Sequence, residues 1–281
     1  MEFRTRQSQD RYDGLVAVAR DVLVGLDFDG TLSPIVEDPA HAVIHPDGPR
    51  VLTALAALVK AVVVITGRPA RQVVELGGLE DVADGLPEGA RLVVMGQYGN
   101  ERWDSESREF TSPEPPRGLQ AFRDELPRIL ERERAADAYV EEKGLALAVH
   151  TRRLPDAAEA FLRLDQALGD AAERHALSLE PGRLVLEVRA PGMHKGLAVE
   201  SALAEHHAGG VLFAGDDLGD LEAFEAVRRL RDQGLPTLLV CSTSQEQEVL
   251  AELSDVVVDG PGGVLGLLAR FADDVTAQAT T

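Results

Sequence analysis

The sequence predicts an α/β protein with a doubly wound parallel sheet, Rossmann-like in its alternation and interrupted by a smaller inserted α+β domain. Apolar runs of strand length recur at residues 22–26, 61–65, 91–96 and 211–214, and helical patterns separate them. Such continuous apolar runs are typical of strands buried on both faces of a parallel sheet. Between the third and fourth runs, residues 119–188 lose this alternation, which indicates the insert.

The remaining elements follow from periodicity and from helix and turn signals. A weak helical pattern precedes the first strand, Leu52, Leu55 and Leu58 recur at helical spacing, and Pro69 is suited to start a helix. Before the insert we expect a loop at 38–49, helices at 50–60 and 69–78, and a linker at 104–118. In the insert we expect a strand at 139–151, a helix at 155–175 and two short strands flanking Pro181 and Gly182. After it we expect a linker at 190–192, helices from 195 to 207 and through 230, a strand at 237–240, a helix near 246–253 and an apolar run at 256–258. The predicted domains are a core of 1–110 and 190–281 and an α+β cap of 111–189.

Composition limits the classes of partner. The formal net charge is −20, which disfavours nucleic acid and anionic membrane surfaces as partners. Cys241 is the only cysteine, so no intrachain disulfide can form and a reducing compartment is expected. The chain shows no signal-peptide core and no apolar run long enough to span a bilayer. We therefore expect a cytoplasmic protein.

A pair of carboxylates directly follows the first strand. Asp27 and Asp29 precede Gly30 and Thr31. The carboxyl ends of parallel strands are where α/β sheets bind ligands, and acids this close repel each other unless a cation or a shared proton offsets them. Mg²⁺ prefers oxygen ligands and would satisfy both acids. The pair therefore predicts a metal-assisted site in which one aspartate acts covalently.

Three other interpretations fit this pair less well. Solvated acids are common at strand ends, but the glycine and threonine behind the pair argue against that reading. A calcium-binding loop needs glycine at its sixth position and glutamate at its twelfth. Counted from Asp27, Gly30 is fourth and Asp38 is twelfth. A phosphate-binding loop of the G-x-x-x-x-G-K-[ST] type occurs nowhere in the chain.

Other polar residues stand at the boundaries of later elements. Each alone is typical of a turn, a solvated lysine or a helix cap. Together with the acid pair, and with an insert between the second and third groups, they resemble the haloacid dehalogenase superfamily of phosphotransferases. The later groups are Thr66-Gly67-Arg68, then Lys195, then Asp216, Asp217 and Asp220.

The resemblance implies a role for each residue. Asp27 would attack phosphorus and form an aspartyl-phosphate. Asp29 would protonate the leaving sugar oxygen and then take a proton from the hydrolytic water. Thr66 and the Gly67 amide would hydrogen-bond the phosphoryl oxygens, and Lys195 would bridge Asp27 and the phosphate.

The same resemblance implies a magnesium site. Mg²⁺ would be held by Asp27, the carbonyl oxygen of Asp29 and Asp216, and it would neutralise charge between carboxylate and phosphate. Asp217 and Asp220 would hold metal-bound waters or orient other groups.

A closer resemblance is to the trehalose-6-phosphate phosphatase family. It rests on residues 26–36, on 65–68, on 188–196 and on 215–224. It implies hydrolysis of a sugar phosphate, most simply trehalose 6-phosphate, with the insert as the substrate-selecting cap. A sugar-phosphate synthase is then a further candidate partner, and the oligomeric state stays open.

In that family charged residues on two cap strands read the sugar. We expect a bulge at Gly144, which would align Glu141 and Lys143 with Ala146, Ala148, His150 and Arg152 on one face. The alternative is an ordinary solvated sheet face. The residues expected to contact substrate are Gly67, Arg68, Glu141, Lys143, Arg152, Arg183 and Glu187.

Three departures from the family pattern affect the substrate more than the reaction. Thr151 stands where tyrosine is usual, Gln97 and Tyr98 precede Gly99 where histidine is usual, and Gly219 replaces threonine. A related glycosyl or aminocyclitol phosphate, including glucosylglycerol, mannosylglycerate and sucrose phosphates, is therefore an alternative substrate.

A phospho-receiver switch would place its phosphorylated Asp and its acid pair on separate strands in a shorter domain. A non-catalytic partner of a synthase is the third alternative.

Overall fold

The computed structural model describes residues 2–36, 38–243 and 248–279. The chain divides into two compact units. The core unit consists of Met1–Ser112 and His194–Thr281, and the insert unit is Pro113–Met193. Each unit has its own apolar core.

The strands and helices are numbered in chain order. The strands are β1 (Glu2–Phe3), β2 (Val22–Leu26), β3 (Ala61–Ile65), β4 (Leu92–Gly96), β5 (Glu101–Asp104), β6 (Phe110–Thr111), β7 (Tyr139–Glu142), β8 (Ala146–His150), β9 (Ser178–Gly182), β10 (Val185–Arg189), β11 (Gly210–Gly215), β12 (Thr237–Ser242) and β13 (Val256–Val258). The helices are α1 (Arg6–Ala17), α2 (Gly48–Ala56), α3 (Ala70–Gly77), α4 (Leu79–Asp84), α5 (Arg117–Arg132), α6 (Ala157–Arg174), α7 (Lys195–His206), α8 (Leu221–Asp232), α9 (Glu248–Leu253) and α10 (Gly260–Ala279).

The sheet of the core unit has nine strands among the described residues, in the spatial order β1-β13-β12-β11-β2-β3-β4-β5-β6. The six central strands run parallel, whereas β1, β5 and β6 are added antiparallel at the two edges. The buried apolar side chains of each central strand alternate between two faces. Val22, Val24 and Leu26 pack with α1, α2, α3, α4 and α10, whereas Leu23 packs with α7, α8 and α9. Both faces are covered, so the predicted α/β fold with a parallel sheet is confirmed.

The insert unit is an α+β layer pair. Its antiparallel sheet has the order β7-β8-β10-β9. Apolar residues from one face of this sheet pack against α5 and α6, including Leu147 and Val149 on β8 and Leu186 and Val188 on β10. The opposite face of the sheet carries the alternate residues of each strand.

The expected continuous strand over residues 139–151 is wrong. β7 and β8 form a hairpin in which Glu141 pairs with Ala148, joined by the two residues Gly144 and Leu145 after the Lys143–Ala146 pair. Gly144 has a φ of +81°, which a tight two-residue hairpin loop requires. The glycine therefore reverses the chain instead of forming a bulge. The face assignment still holds, because a reversal of this length also places Glu141 and Lys143 beside Ala146 and Ala148.

Two further expectations need correction, and one helix was not expected. Pro181 and Gly182 lie within β9, and the turn follows at residues 183 and 184. The predicted linker at 104–118 contains β6, and the long helix α10 was not predicted because it starts with the turn-like sequence Gly-Pro-Gly-Gly. Residues 246 and 247 of the predicted helix at 246–253 lie outside the described residues.

In the described part of the chain, none of the helices combines the length and the apolar character that a bilayer span requires.

Candidate active site

Two carboxylates reach the carboxyl edge of the parallel sheet because β2 and β11 are neighbours. Leu26 pairs with Ala214, so Asp27 after β2 and Asp216 after β11 lie at the same edge. The Asp27 amide donates to the Ala214 carbonyl oxygen at 2.9 Å, which ties the two strand ends together. Both aspartates are buried.

A buried lysine joins this pair. Lys195 is the first residue of α7 and is only 5% exposed. Its Nζ donates to Oδ1 of Asp27 at 2.5 Å and to Oδ1 of Asp220 at 2.7 Å. A buried ammonium group needs such partners because an unpaired buried charge is costly. Lys195 therefore connects the nucleophile candidate to the loop after β11.

Asp220 has both carboxylate oxygens engaged. Besides the bond from Lys195 to Oδ1, its Oδ2 accepts from the amide of Asp216 at 2.9 Å and from that of Asp217 at 3.3 Å. The Asp217 carboxylate in turn accepts from the Gly219 amide at 2.9 Å. Asp217 and Asp220 also form a capping box, in which each side chain accepts from the backbone amide of the other residue. Asp220 therefore organises both the lysine and the loop that carries Asp216.

Two glycines allow these acids to approach the backbone. Gly30 has a φ of +74°, and a Cβ at this position would lie 2.1 Å from Oδ2 of Asp216. A Cβ on Gly215 would lie 2.5 Å from the carboxyl group of Asp220. Any side chain at either position would displace an acid. These close approaches explain why glycine neighbours the acids in both motifs.

Burial and the crowding of acids raise the pKa values of the carboxyl groups. Burial, followed by the charges of Asp217 and Asp220, raises the pKa of Asp216 to about 8. Burial also raises the pKa of Asp27 well above its usual value, although Lys195 opposes the shift. Burial disfavours the charge of Lys195, but Asp220 and Asp27 outweigh it and hold the lysine pKa well above its usual range. The cluster therefore carries more negative potential than one lysine offsets.

This donor set suits a hard divalent cation. Oxygens of Asp27, Asp216 and Asp220 all lie within 4.8 Å of one another. Carboxylate oxygens in a site with surplus negative charge are what Mg²⁺ requires. Because both oxygens of Asp220 already accept hydrogen bonds, from Lys195 and from two amides, Asp27 and Asp216 are better placed to act as direct ligands.

The residues predicted to bind the phosphoryl group lie at the end of the next strand. Leu26 pairs with Val64 of β3, so Thr66 reaches the same edge of the sheet as Asp27. Thr66 is buried, and its Oγ1 accepts from the Arg68 amide at 3.1 Å. The structure therefore brings together at one edge the elements that carry Asp27, Thr66, Lys195 and Asp216.

Arg68 forms a two-point ion pair with Asp29. Its Nε donates to Oδ2 of Asp29 at 2.6 Å and its Nη2 donates to Oδ1 at 2.7 Å, while Nη1 donates to the Pro39 carbonyl oxygen at 2.9 Å. Such a fork fixes the orientation of a carboxylate as well as its position. The sequence predicts Arg68 as a substrate contact, whereas the observed geometry assigns its guanidinium to the proton-transfer candidate.

Sequence reasoning noted the loop after β4 only as a departure from a family pattern. Gln97 and Tyr98 have φ values of +48° and +59°, an unfavourable conformation for residues with side chains. The Gln97 amide donates to the Arg68 carbonyl oxygen and the Tyr98 amide donates to that of Thr66, both at 2.9 Å. The Tyr98 hydroxyl lies 2.7 Å from where a Cβ on Gly67 would be. This loop therefore supports the predicted phosphoryl-binding turn.

In the insert unit, three of the predicted charged residues, Glu141, Lys143 and Glu187, share the sheet face that is not packed on helices. Glu141 and Glu187 both pair with Ala148, from β7 and β10 respectively. Nζ of Lys143 donates to Oε2 of Glu187 at 2.6 Å, and Nε2 of His150 lies 2.9 Å from Oε2 of Glu141. The face is a network of paired charges.

Arg189 belongs to this network, and sequence reasoning missed it. Its Nη1 donates to Oε1 of Glu187 at 3.1 Å, its Nη2 lies 3.7 Å from Oε1 of Glu180, and the residue is 6% exposed. The alternation along β10 places residues 187 and 189 on the same face, so extending the pattern by two positions would have found it.

Two predicted substrate residues lie outside the strands, which contradicts their expected alignment. β8 ends at His150, and Arg152 is exposed in the turn that follows. Arg183 lies in the two-residue loop between β9 and β10, next to Leu184 with a φ of +56°. The predicted alternation does not extend to either arginine because the backbone turns before reaching it.

The doubly wound sheet, which carries the carboxylate–lysine cluster at its carboxyl edge, has the fold of a haloacid dehalogenase-like hydrolase from Bacteroides thetaiotaomicron, with a TM-score of 0.63 at 16% identity over 88% of this chain and 98% of that one. The chain belongs to the trehalose-phosphatase family, whose model matches residues 25–259. It is accordingly a phosphoric monoester hydrolase.

Individual relatives agree with this assignment. The chain is 31% identical over 210 residues to a probable trehalose-phosphate phosphatase of Sinorhizobium fredii, covering 73% of each sequence. It is 30% identical over 273 residues to a trehalose-phosphate phosphatase of Mycobacterium tuberculosis, covering 95% of this chain but only 63% of that protein. The C-terminal domain of a trehalose-6-phosphate phosphatase from Candida albicans has the same fold, with a TM-score of 0.75 at 19% identity over 97% of this chain and 98% of that one.

Proposed function

We propose that the chain hydrolyses trehalose 6-phosphate to trehalose and inorganic phosphate, with Mg²⁺ as cofactor. One observation carries the reaction type: Lys195 joins Asp27 and Asp220 in a buried cluster whose acids lie within 4.8 Å of Asp216. Family membership and the names of the relatives support the choice of sugar.

In the proposed first step, a carboxylate oxygen of Asp27 attacks phosphorus and the bond from phosphorus to the sugar oxygen breaks. Asp29 donates the proton that the leaving oxygen needs. A water then attacks the phosphorus of the aspartyl-phosphate and gives its proton to Asp29. The bond from phosphorus to Asp27 breaks, so phosphate is released and both carboxyl groups return to their starting state.

The surrounding residues would hold these reactants. The Lys195 ammonium fixes one oxygen of Asp27 and offers positive charge to the incoming phosphate. Thr66 and the Gly67 amide are suited to hydrogen-bond the phosphoryl oxygens. Arg68 orients Asp29 through its two-point contact. Each group thus either binds the phosphate or positions one of the two reacting acids.

Asp27 and Asp216, with the carbonyl oxygen of Asp29, would hold Mg²⁺, while Asp217 and Asp220 orient the groups around it. When bound, the cation would neutralise the repulsion between the Asp27 carboxylate and the phosphate dianion. The surplus of buried negative charge in the cluster supports this part of the proposal.

For the insert unit we propose sugar recognition by the charged face that carries Glu141, Lys143 and Glu187, with Arg152 and Arg183 on the turns beside it. Pairing of Lys143 with Glu187 orients both side chains, as rigid recognition of hydroxyl groups demands. The unusual loop at Gln97 and Tyr98 favours a second candidate, a phosphatase of a related glycosyl or aminocyclitol phosphate.

The test is release of inorganic phosphate from a panel of sugar phosphates with Mg²⁺ and with chelator. Trehalose 6-phosphate should have the highest kcat/KM, ahead of glucosylglycerol, mannosylglycerate and sucrose phosphates and of p-nitrophenyl phosphate. Chelation should abolish release from every compound. Preference for another sugar phosphate would replace the substrate while keeping the reaction. Full activity in chelator would contradict the proposed role of Mg²⁺.

A further inference from the structure

A cavity lined by four arginines lies on the core unit, away from the acid cluster formed by Asp27, Asp216 and Asp220. It has a volume of about 390 Å³, within the range of small-molecule sites. We call it the arginine pocket and define it by Arg4, Arg11, Arg228 and Arg231, with Asp255 and Glu252 as its acidic members. Four cations against two anions is an unexpected balance in a chain of net charge −20.

The arginine pocket lies at the amino edge of the parallel sheet. Asp255 immediately precedes β13, and Thr237, which accepts from Nε of Arg231 at 2.7 Å, is the first residue of β12. Asp27 and Asp216 lie at the carboxyl edge of the same sheet. A strand of this length separates the two edges by roughly 20 Å. The arginine pocket is therefore a separate site.

Asp255 holds two of the arginines in place. It is 2% exposed, and its carboxylate accepts from Nη1 of Arg11 and, at 2.5 Å, from Nη2 of Arg231. Its Oδ2 also accepts from the Leu239 amide at 2.9 Å. An arginine has five N–H donors, and these contacts use few of them. The arrangement is therefore pre-formed and retains donors for a further acceptor.

The other two arginines have no side-chain partner among the residues that the structure describes. Arg4 and Arg228 are exposed, and neither guanidinium has an ion pair or hydrogen bond within the described ranges of the chain. Burial lowers the pKa of Arg231, Asp255 opposes this, and the positive charges of Arg11 and Arg228 lower it further. An anion would relieve the repulsion among these guanidinium groups.

The first turn of α1 adds backbone N–H donors to the arginine pocket, and their partial charge is positive, as is the charge of the arginines. This helix has 12 residues and begins beside the arginine pocket, with Thr5, Gln7 and Ser8 among the lining residues. No acidic residue occupies its first turn, so its positive dipole end is not offset there. Amide groups at a helix start, combined with guanidinium groups, are suited to tetrahedral oxyanions.

We propose that the arginine pocket binds the phosphate group of a small anionic molecule. The ligand chemistry is a phosphate oxyanion, either free or carried by a phosphorylated sugar that fills the rest of the cavity. This proposal does not depend on the substrate of the active site.

The test measures phosphate binding to the full chain by calorimetry, with chelator present so that the uncompensated acid cluster repels anions. Arg4→Gln and Arg228→Gln remove exposed donors and should each weaken phosphate binding about tenfold. Arg229→Gln is the matched control, because Arg229 neighbours Arg228 on α8 but pairs with Glu200 outside the arginine pocket. It should change the affinity by less than about twofold.

Amide chemical shifts give a second readout. Phosphate should perturb the amides of the first turn of α1 and those near Asp255. Tighter binding of a hexose phosphate than of inorganic phosphate would assign the remaining cavity to the sugar, and equal binding would assign the site to phosphate alone. Three results would overturn the proposal: no binding by the unmodified chain, equal binding by all three variants, or binding that is lost in Thr66→Ala instead, since Thr66 belongs to the phosphoryl-binding turn of the active site. Binding of a glutamate-rich peptide without binding of phosphate would also overturn it.

Discussion

The acid cluster and the arginine pocket lie at opposite edges of one sheet. Both are built around a buried aspartate, but their net charges are opposite. In each, a fully buried aspartate gathers cations and backbone amides: Asp220 binds Lys195 and two amides, and Asp255 binds Arg11, Arg231 and one amide. At the carboxyl edge acids outnumber the cation, whereas at the amino edge cations outnumber acids. The buried aspartate therefore positions the neighbouring groups at both sites. The net charge of those groups determines whether each site accepts a cation or an anion.

The largest expected effect comes from removing the nucleophile candidate. Asp27→Asn should lower kcat about 10⁴-fold or more, because the amide cannot accept a phosphoryl group. The fold should persist, since the substitution preserves shape and reduces repulsion among acids. Phosphate release and circular dichroism, measured on the same preparation, check both parts. Substantial turnover by a folded variant would remove Asp27 from the mechanism.

The two buried aspartates can be compared directly. Asp220→Asn and Asp255→Asn should each lower the free energy of unfolding by about 2 kcal/mol, because each weakens a buried charged network. Only the first change acts on the lysine that contacts the nucleophile, so we expect it to lower kcat by about 100-fold. Denaturant unfolding and steady-state kinetics make the comparison. Equal losses of kcat in the two variants would contradict the division of roles.

Arg68 offers a smaller and more discriminating test. Arg68→Lys keeps the charge but cannot form the two-point contact with Asp29. We expect kcat to fall about 10- to 100-fold with little change in KM, because the proton donor is misplaced. Arg50→Lys, on the exposed surface of α2, is the control. A rise in KM with unchanged kcat would instead make Arg68 the substrate contact that the sequence predicts.

The last prediction concerns the pH dependence of stability and involves no change in turnover. The pKa of Asp216 is raised from 3.8 to about 8 in the folded chain, so between these values the folded state binds more protons than the unfolded state. The stabilising contribution of this group is complete below 3.8 and is lost as the pH rises to about 8. Without Mg²⁺ the melting temperature should therefore fall over this range.

Mg²⁺ should reduce that fall, because it binds the deprotonated carboxylates. Asp216→Asn should show a smaller pH dependence than the unmodified chain when both are metal-free. A melting temperature that does not vary with pH and Mg²⁺ in the unmodified chain would contradict the electrostatic description of the acid cluster.

The acid cluster could be predicted because local patterns determine it. Asp27 and Asp216 each follow an apolar strand of a parallel sheet, so the topology alone brings them to one edge. Their exact partners could not be predicted. Asp220 accepts hydrogen bonds from Lys195 and two amides, and Arg68 binds Asp29. Both arrangements depend on loop conformations that strand patterns do not determine.

The arginine pocket was not predicted for a related reason. Its members come from the first residues of the chain, from α1, from the end of α8 and from the turn before β13. Each arginine alone resembles an ordinary solvated residue, and only tertiary packing collects them. The hairpin at Gly144 failed differently, because a glycine between two strand-like runs is compatible with a bulge or with a reversal.

The most direct test of the central claim is a crystal structure of the chain with Mg²⁺ and beryllium trifluoride, which adds to an aspartate as an aspartyl-phosphate mimic. The account predicts the adduct on the Asp27 carboxylate, with Mg²⁺ bound by Asp27 and Asp216 and with Nζ of Lys195 within hydrogen-bonding distance of a fluoride. An adduct on any other residue, or a cation bound away from these two acids, would contradict it.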